Sequence, residues 1–143
     1  MFATLATHDL RSPSTGWSYT AARPETDRWI TKPAWSSACT ARVSVASDWC
    51  VVQERIAGGR ESKIYAIREK PLVPPDACYS KAELDQIEYV VSTCHSATGL
   101  AYFGIDIMWH ADEPWIIDVN DMPSYRLVPD AAQEIITDIL AIR

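Results

Sequence analysis

The stretch FGIDIMWHADEPWIIDVNDMPSYR, residues 103–126, sets Asp106, Asp118 and Asn120 among isoleucines, valines and tryptophans. Carboxylate and amide oxygens are hard donors, suited to Mg2+ or Mn2+ ions that keep further positions for water and phosphate. Their spacing brings them together if 103–109 and 115–121 pair as antiparallel strands around a five-residue HADEP loop. Trp109 then faces Trp115, Ile107 faces Ile117 and Ile105 faces Val119, so apolar meets apolar throughout. The same register sets Asp106 opposite Asp118 on the other face, and Asn120, two residues further on, shares that face. Opposed Cβ atoms lie about 5 Å apart, where two carboxylates repel by about 3 kcal/mol at an effective dielectric of about 20. Such a pair needs a shared proton, a basic neighbour or a cation. In the competing reading, Asp118 and Asn120 only shape the NDMPS turn while Asp106 pairs with an arginine.

Several elements must position these side chains. RWITK reads as a short strand ended by Pro33; the small and hydroxyl residues of AWSSACTA suit a loop, and RVSV is a further strand candidate. WCVVQERI (49–56) reads as a largely buried strand closed by Gly58 and Gly59, and SKIYAI (62–67) as its successor. KPLVPPD is too rich in proline for a helix or an inner strand. Ser80 and Glu83 then form a capping box, Leu84, Ile87, Val91 and Cys94 follow at helical spacing, and Gly99 stands at a C-terminal cap, which predicts a helix over 81–98. A closing helix begins near Pro129, and its stripe of Ile135, Ile136, Ile139 and Leu140 is expected to pack against the sheet. Residues 1–28, rich in Ser, Thr, Pro and Ala, are expected to be irregular, with one domain over 29–143.

With 143 residues, 48% of them hydrophobic and including six Trp and six Tyr, the chain can bury one core. A net charge of −6 with scattered Lys and Arg excludes a nucleic-acid partner but not a nucleotide, whose phosphates need only local donors or a cation. Cys39, Cys50, Cys78 and Cys94 form no CxxC pair, and His8, His95 and His110 complete no zinc spacing, so reduced, buried thiols are expected. No apolar run reaches membrane-spanning length and no basic leader opens the chain, which together predict a soluble, cytoplasmic protein.

The order ITKP, VVQERI with its following glycines, FGIDI and IIDVNDMPSY resembles the C-terminal half of an ATP-grasp domain, the fold of carboxylate-amine ligases and of related inositol-phosphate kinases. The resemblance covers residues 28–128 and is most specific in its last block. It implies an α+β fold with an antiparallel sheet and packed helices, and ATP with Mg2+ or Mn2+ as cofactors. It further implies that Lys32 reaches the α- and β-phosphates, that backbone groups of Gln53, Glu54, Arg55 and Ile56 read the adenine edge, and that Lys63 faces phosphate or acceptor. Asp106, Asp118 and Asn120 would hold the metal, the arrangement that the hairpin register reaches independently.

The chain departs from the family pattern in three places. The loop after Lys32 has no glycines, leaving Ser36, Ser37 and Thr40 to contact phosphate; the last motif ends in Pro123–Ser124; and the N-terminal lobe is expected to be incomplete. Arg68 and Lys70 are candidates for binding a small-molecule acceptor, whose identity is open, as is the choice between ligase and kinase. The alternatives are a non-catalytic remnant serving as an interaction module, with a partner chain supplying the missing lobe, and a metal-binding domain without nucleotide.

Overall fold

The computed structural model describes residues 10–13, 15–19, 29–33, 49–121 and 123–142, without the side chains of 15–19, 29–33, 49 and 50. The RVSV strand candidate, Ser36, Ser37, Thr40 and Cys39 lie outside the described residues. The chain divides into two compact units, Pro13–Gly58 and a second made of Met1–Ser12 with Gly59–Arg143.

In the Pro13–Gly58 unit, strands β1 (Thr15–Tyr19), β2 (Trp29–Pro33) and β3 (Trp49–Glu54) form an antiparallel sheet in the order β1-β3-β2. A strand therefore lies within the segment expected to be irregular, paired from Thr15 opposite Gln53 to Tyr19 opposite Trp49. TGWSY has too few residues to display a period, and its partner strand, thirty residues on, stabilises it through non-local hydrogen bonds.

The larger unit is built on a four-stranded antiparallel sheet of β4 (Arg60–Ile67), β5 (Lys70–Leu72), β6 (Tyr102–His110) and β7 (Glu113–Asn120), in the order β5-β4-β6-β7. Pro71 is tolerated because β5 is an edge strand. Helix α1 (Lys81–Thr98) has the bounds its signals predict. Ser80 Oγ accepts from the Glu83 amide, the Glu83 carboxylate accepts from the Ser80 amide, and Gly99 ends the helix at φ 71°. The α1 residues Ile87, Val90, Val91 and Cys94 pack on Ile64, Ala66, Phe103, Ile105, Ile107 and Ile116 from one face of the sheet.

Helix α2 (Ala131–Ala141) covers one end of the opposite face, where Ala131 and Ile135 meet Tyr65, Ile67, Leu72 and Tyr102. The expected apolar stripe is only partly buried: Ile136 and Ile139 are 51% exposed and Leu140 61%. The stripe that faces the sheet is Ala131, Glu134, Ile135 and Asp138, which also recurs at helical spacing. Its acids meet cations already there, Glu134 bonding Lys70 Nζ at 2.6 Å and Asp138 bonding Arg68 Nε at 2.9 Å. These ion pairs go with the packing of Ala131 and Ile135 on the sheet, and Ile136 and Ile139 face outward.

The hairpin differs from expectation at its tip. Its loop is the two-residue turn Ala111–Asp112, both at positive φ (51° and 61°), a conformation whose twist matches that of the flanking strands. This slips the pairing by one residue, so Trp109 faces Pro114, Met108 faces Trp115 and Ile107 faces Ile116. A β-bulge with Ile117 as the extra residue restores the expected register before Asp106. The expected Trp109–Trp115 and Ile107–Ile117 pairs are therefore absent. Trp109 instead packs beside Tyr79, ring centroids 6.4 Å apart, and donates its Nε1–H to Ser62 Oγ at 2.9 Å.

Candidate functional site

Below the bulge the register is as expected, with Ile105 opposite Val119, Asp106 opposite Asp118 and Gly104 opposite Asn120. On its other side β6 pairs with β4, which sets Lys63 opposite Asp106. Lys63, Asp106 and Asp118 thus form a row across three strands on one face, a cation followed by two carboxylates. Lys63 Nζ donates to Asp106 Oδ1 at 2.6 Å, the two side chains being 33% and 22% exposed. Asp118, half-buried, has no ion-pair partner among the described residues. The basic neighbour of Asp106 is thus a lysine from the adjacent strand and not an arginine.

Two close approaches shape this row. A Cβ built on Gly104 would lie 3.0 Å from Pro123 Cβ and 3.7 Å from Lys63 Cε, so the missing side chain lets Pro123 and the lysine stem lie on β6. Tyr125, at φ 51°, donates its hydroxyl to the Ala66 carbonyl at 3.0 Å and stacks on Tyr65 with centroids 5.1 Å apart. Burial pushes its phenol up to about 12. The turn after Asn120 is therefore pinned to the sheet on the same face as the charged row.

The other residues singled out in the sequence fall elsewhere. Lys32 lies on β2 opposite Val51, while Gln53 lies between Thr15 and Ile30 in the centre of the smaller sheet and is 2% exposed. Glu54 ends β3, and Arg55 and Ile56 follow it, Arg55 exposed and Ile56 half-buried. These residues belong to the Pro13–Gly58 unit, whereas Lys63 and the hairpin belong to the other. Among the thiols, Cys94 is buried, which pushes it up to about 12, but Cys78 is exposed, so the expectation of burial fails there. Cys78 falls in the proline-rich connection to α1.

Arg68 and Lys70 are engaged in holding α2. Asp138 accepts from Arg68 Nε and from the Tyr102 hydroxyl at 2.7 Å, and these hydrogen bonds hold its carboxyl below the usual carboxylate range. A cleft of about 520 Å3 adjoins this network, lined in part by Arg68, Lys70, His95, Glu134 and Asp138. Sequence reading missed Tyr102 and Asp138; an Asp inside an apolar stripe was the available signal. Among the described residues no group of three or more His, Cys, Asp and Glu could hold a metal, so any cation at the hairpin rests on two carboxylates with Asn120 as the further donor. No helix among them is long and apolar enough to cross a membrane.

Neither the family models nor the curated proteins give a match. Solved structures do. The D-alanine–D-alanine ligase of Helicobacter pylori superposes with a TM-score of 0.71 at 12% identity, over 94% of this chain and 54% of the ligase. The D-alanine–D-alanine ligase of Bacillus anthracis complexed with ATP gives 0.65 at 14%, over 95% and 57%. The ATP-grasp ligase PsnB complexed with minimal precursor, Mg and ADP gives 0.68 at 19%, over 98% and 56%. The chain therefore has a partial ATP-grasp fold, the α+β architecture of these ligases. It spans a little more than half of their length, and at these identities the likeness is one of fold.

Proposed function

We propose that this chain carries an ATP-binding module of the ATP-grasp ligase type, using Mg-ATP to activate a carboxylate for attack by an amine. The observation that carries the reading is the opposition of Asp106 and Asp118 on a hairpin of that fold. The residues fit a divalent cation: one ammonium cannot neutralise two carboxylates, Asp118 lacks an ion pair among the described residues, and Asn120 adds an amide on the same face. Asp106, Asp118 and Asn120 would hold Mg2+ or Mn2+, which when bound supplies charge compensation for phosphate oxygens. Lys32 would bind phosphate, Lys63 phosphate or acceptor, and the backbone of residues 53–56 would read the adenine edge. In the reaction a carboxylate oxygen bonds to the γ-phosphorus as the β–γ bridge breaks and ADP leaves. The amine nitrogen then attacks the acyl carbon, phosphate departs, and the amine proton passes to solvent. An alcohol acceptor in place of the carboxylate would make the protein a kinase. The ligases among the structural neighbours support the first choice.

A second reading, a non-catalytic module meeting a partner chain, is supported by the outward Ile136, Ile139 and Leu140 of α2. Following the melting temperature while ATP is titrated with and without Mg2+ separates the readings. The ligase-type reading requires a rise that needs both. A rise with Mg2+ alone points to a metal-binding domain, and no rise to the interaction module.

A further inference from the structure

The charged row on β4, β6 and β7 holds three side chains but balances only one of its two negative charges. Lys63 Nζ lies 2.6 Å from Asp106 Oδ1, while Asp118, directly opposite Asp106, has no ion pair among the described residues. Lys63 Cε lies beside Gly104, 3.7 Å from where a Cβ there would stand, and the lysine side chain is flexible and 33% exposed, so its ammonium can turn. An ammonium brings one charge to one carboxylate, whereas a divalent cation can sit between two opposed carboxylates and satisfy both.

We propose that Lys63 is an exchangeable counter-ion: it holds Asp106 in the metal-free protein, gives that carboxylate up when a divalent cation binds, and turns its ammonium to a phosphate oxygen of the incoming nucleotide. The inference rests on the proposed cation site. It assigns one residue two successive partners and ties the availability of the phosphate-binding cation to loading of the metal. No bond is made or broken and no proton changes hands; the ammonium exchanges one anionic partner for another.

The test is the rate at which Lys63 is reductively methylated, read by peptide mass spectrometry, with Mg2+ binding followed in parallel by calorimetry. Lys70 and Lys81, whose side chains are 58% and 89% exposed, serve as internal references. Mg2+ alone should raise the Lys63 rate several-fold, Mg2+ with a non-hydrolysable ATP analogue should lower it again, and the reference lysines should not follow. In Asp118→Asn the response to Mg2+ should vanish. Lys63→Met should bind Mg2+ more tightly in the absence of nucleotide. A Lys63 rate indifferent to Mg2+ in protein that calorimetry shows to bind it would overturn the exchange while leaving the cation site standing. Absence of Mg2+ binding in both wild type and Lys63→Met would overturn the site itself and the exchange with it.

Discussion

Asp106 and Asp118 face one another across the hairpin, yet only Asp106 has a cation beside it. This asymmetry separates two substitutions that would otherwise be expected to behave alike. Asp118→Asn removes a repelling charge that no ion pair offsets, so the metal-free protein should melt slightly higher. Asp106→Asn strands the Lys63 ammonium and should lower the melting temperature, each effect amounting to about 1 kcal/mol or less because the row is partly exposed to solvent. Thermal unfolding in the presence of a chelator reads both, and equal shifts of the same sign would refute the arrangement. The carboxylate opposition was legible in the sequence because alternation along both arms leaves one register that matches apolar to apolar. The lysine was not, because its place beside Asp106 depends on pairing between strands about 40 residues apart in the chain, for which residues 60–67 carry no local sign.

At the scale of elements, the bounds of α1 could be read because its signals are local: a capping box, a helical period and a glycine that reaches positive φ. Leu84 of the expected stripe is nevertheless 39% exposed, and Val90 takes a place in the buried face. The hairpin tip could not, since Ala-Asp lacks the asparagine or glycine that usually marks a two-residue turn, and the bulge that compensates for it leaves no trace in hydrophobic alternation. Helix α2 could be located but not oriented, since the face it turns to the sheet also carries the acids that meet Arg68, Lys70 and the Tyr102 hydroxyl. That orientation has two measurable consequences. Replacing Ile139 with Lys should leave stability within about 0.5 kcal/mol of wild type, as for other exposed positions, and a large loss of melting temperature would mean that the helix faces the other way. Asp138 has a carboxyl held below its ordinary value, first by Arg68 and then by Tyr102. Its stabilising effect is therefore complete above the ordinary carboxylate pKa and is lost as pH falls through the depressed one. Asp138→Asn should make the acid limb of the stability profile shallower, and an unchanged limb would contradict the network.

For the whole molecule, the α+β class and the ATP-grasp likeness were legible because the blocks that carry them fall in chain order on β2, β3, β6 and β7. The division into units was not, because the boundary near Gly58 and Gly59 is one of contacts, and β1 joins the smaller sheet through pairing with a strand distant in sequence. Likeness over about half the length of known ligases is one of fold, so the proposed nucleotide site rests on the hairpin. The most direct measurement is calorimetric titration of ATP, with and without Mg2+, into the wild-type protein and Asp118→Asn. The account predicts ATP binding by the wild type that weakens at least tenfold when Mg2+ is withdrawn, and no Mg2+ dependence in the variant. Undiminished, Mg2+-dependent binding by Asp118→Asn, or no binding of ATP by the wild type in either condition, would contradict it.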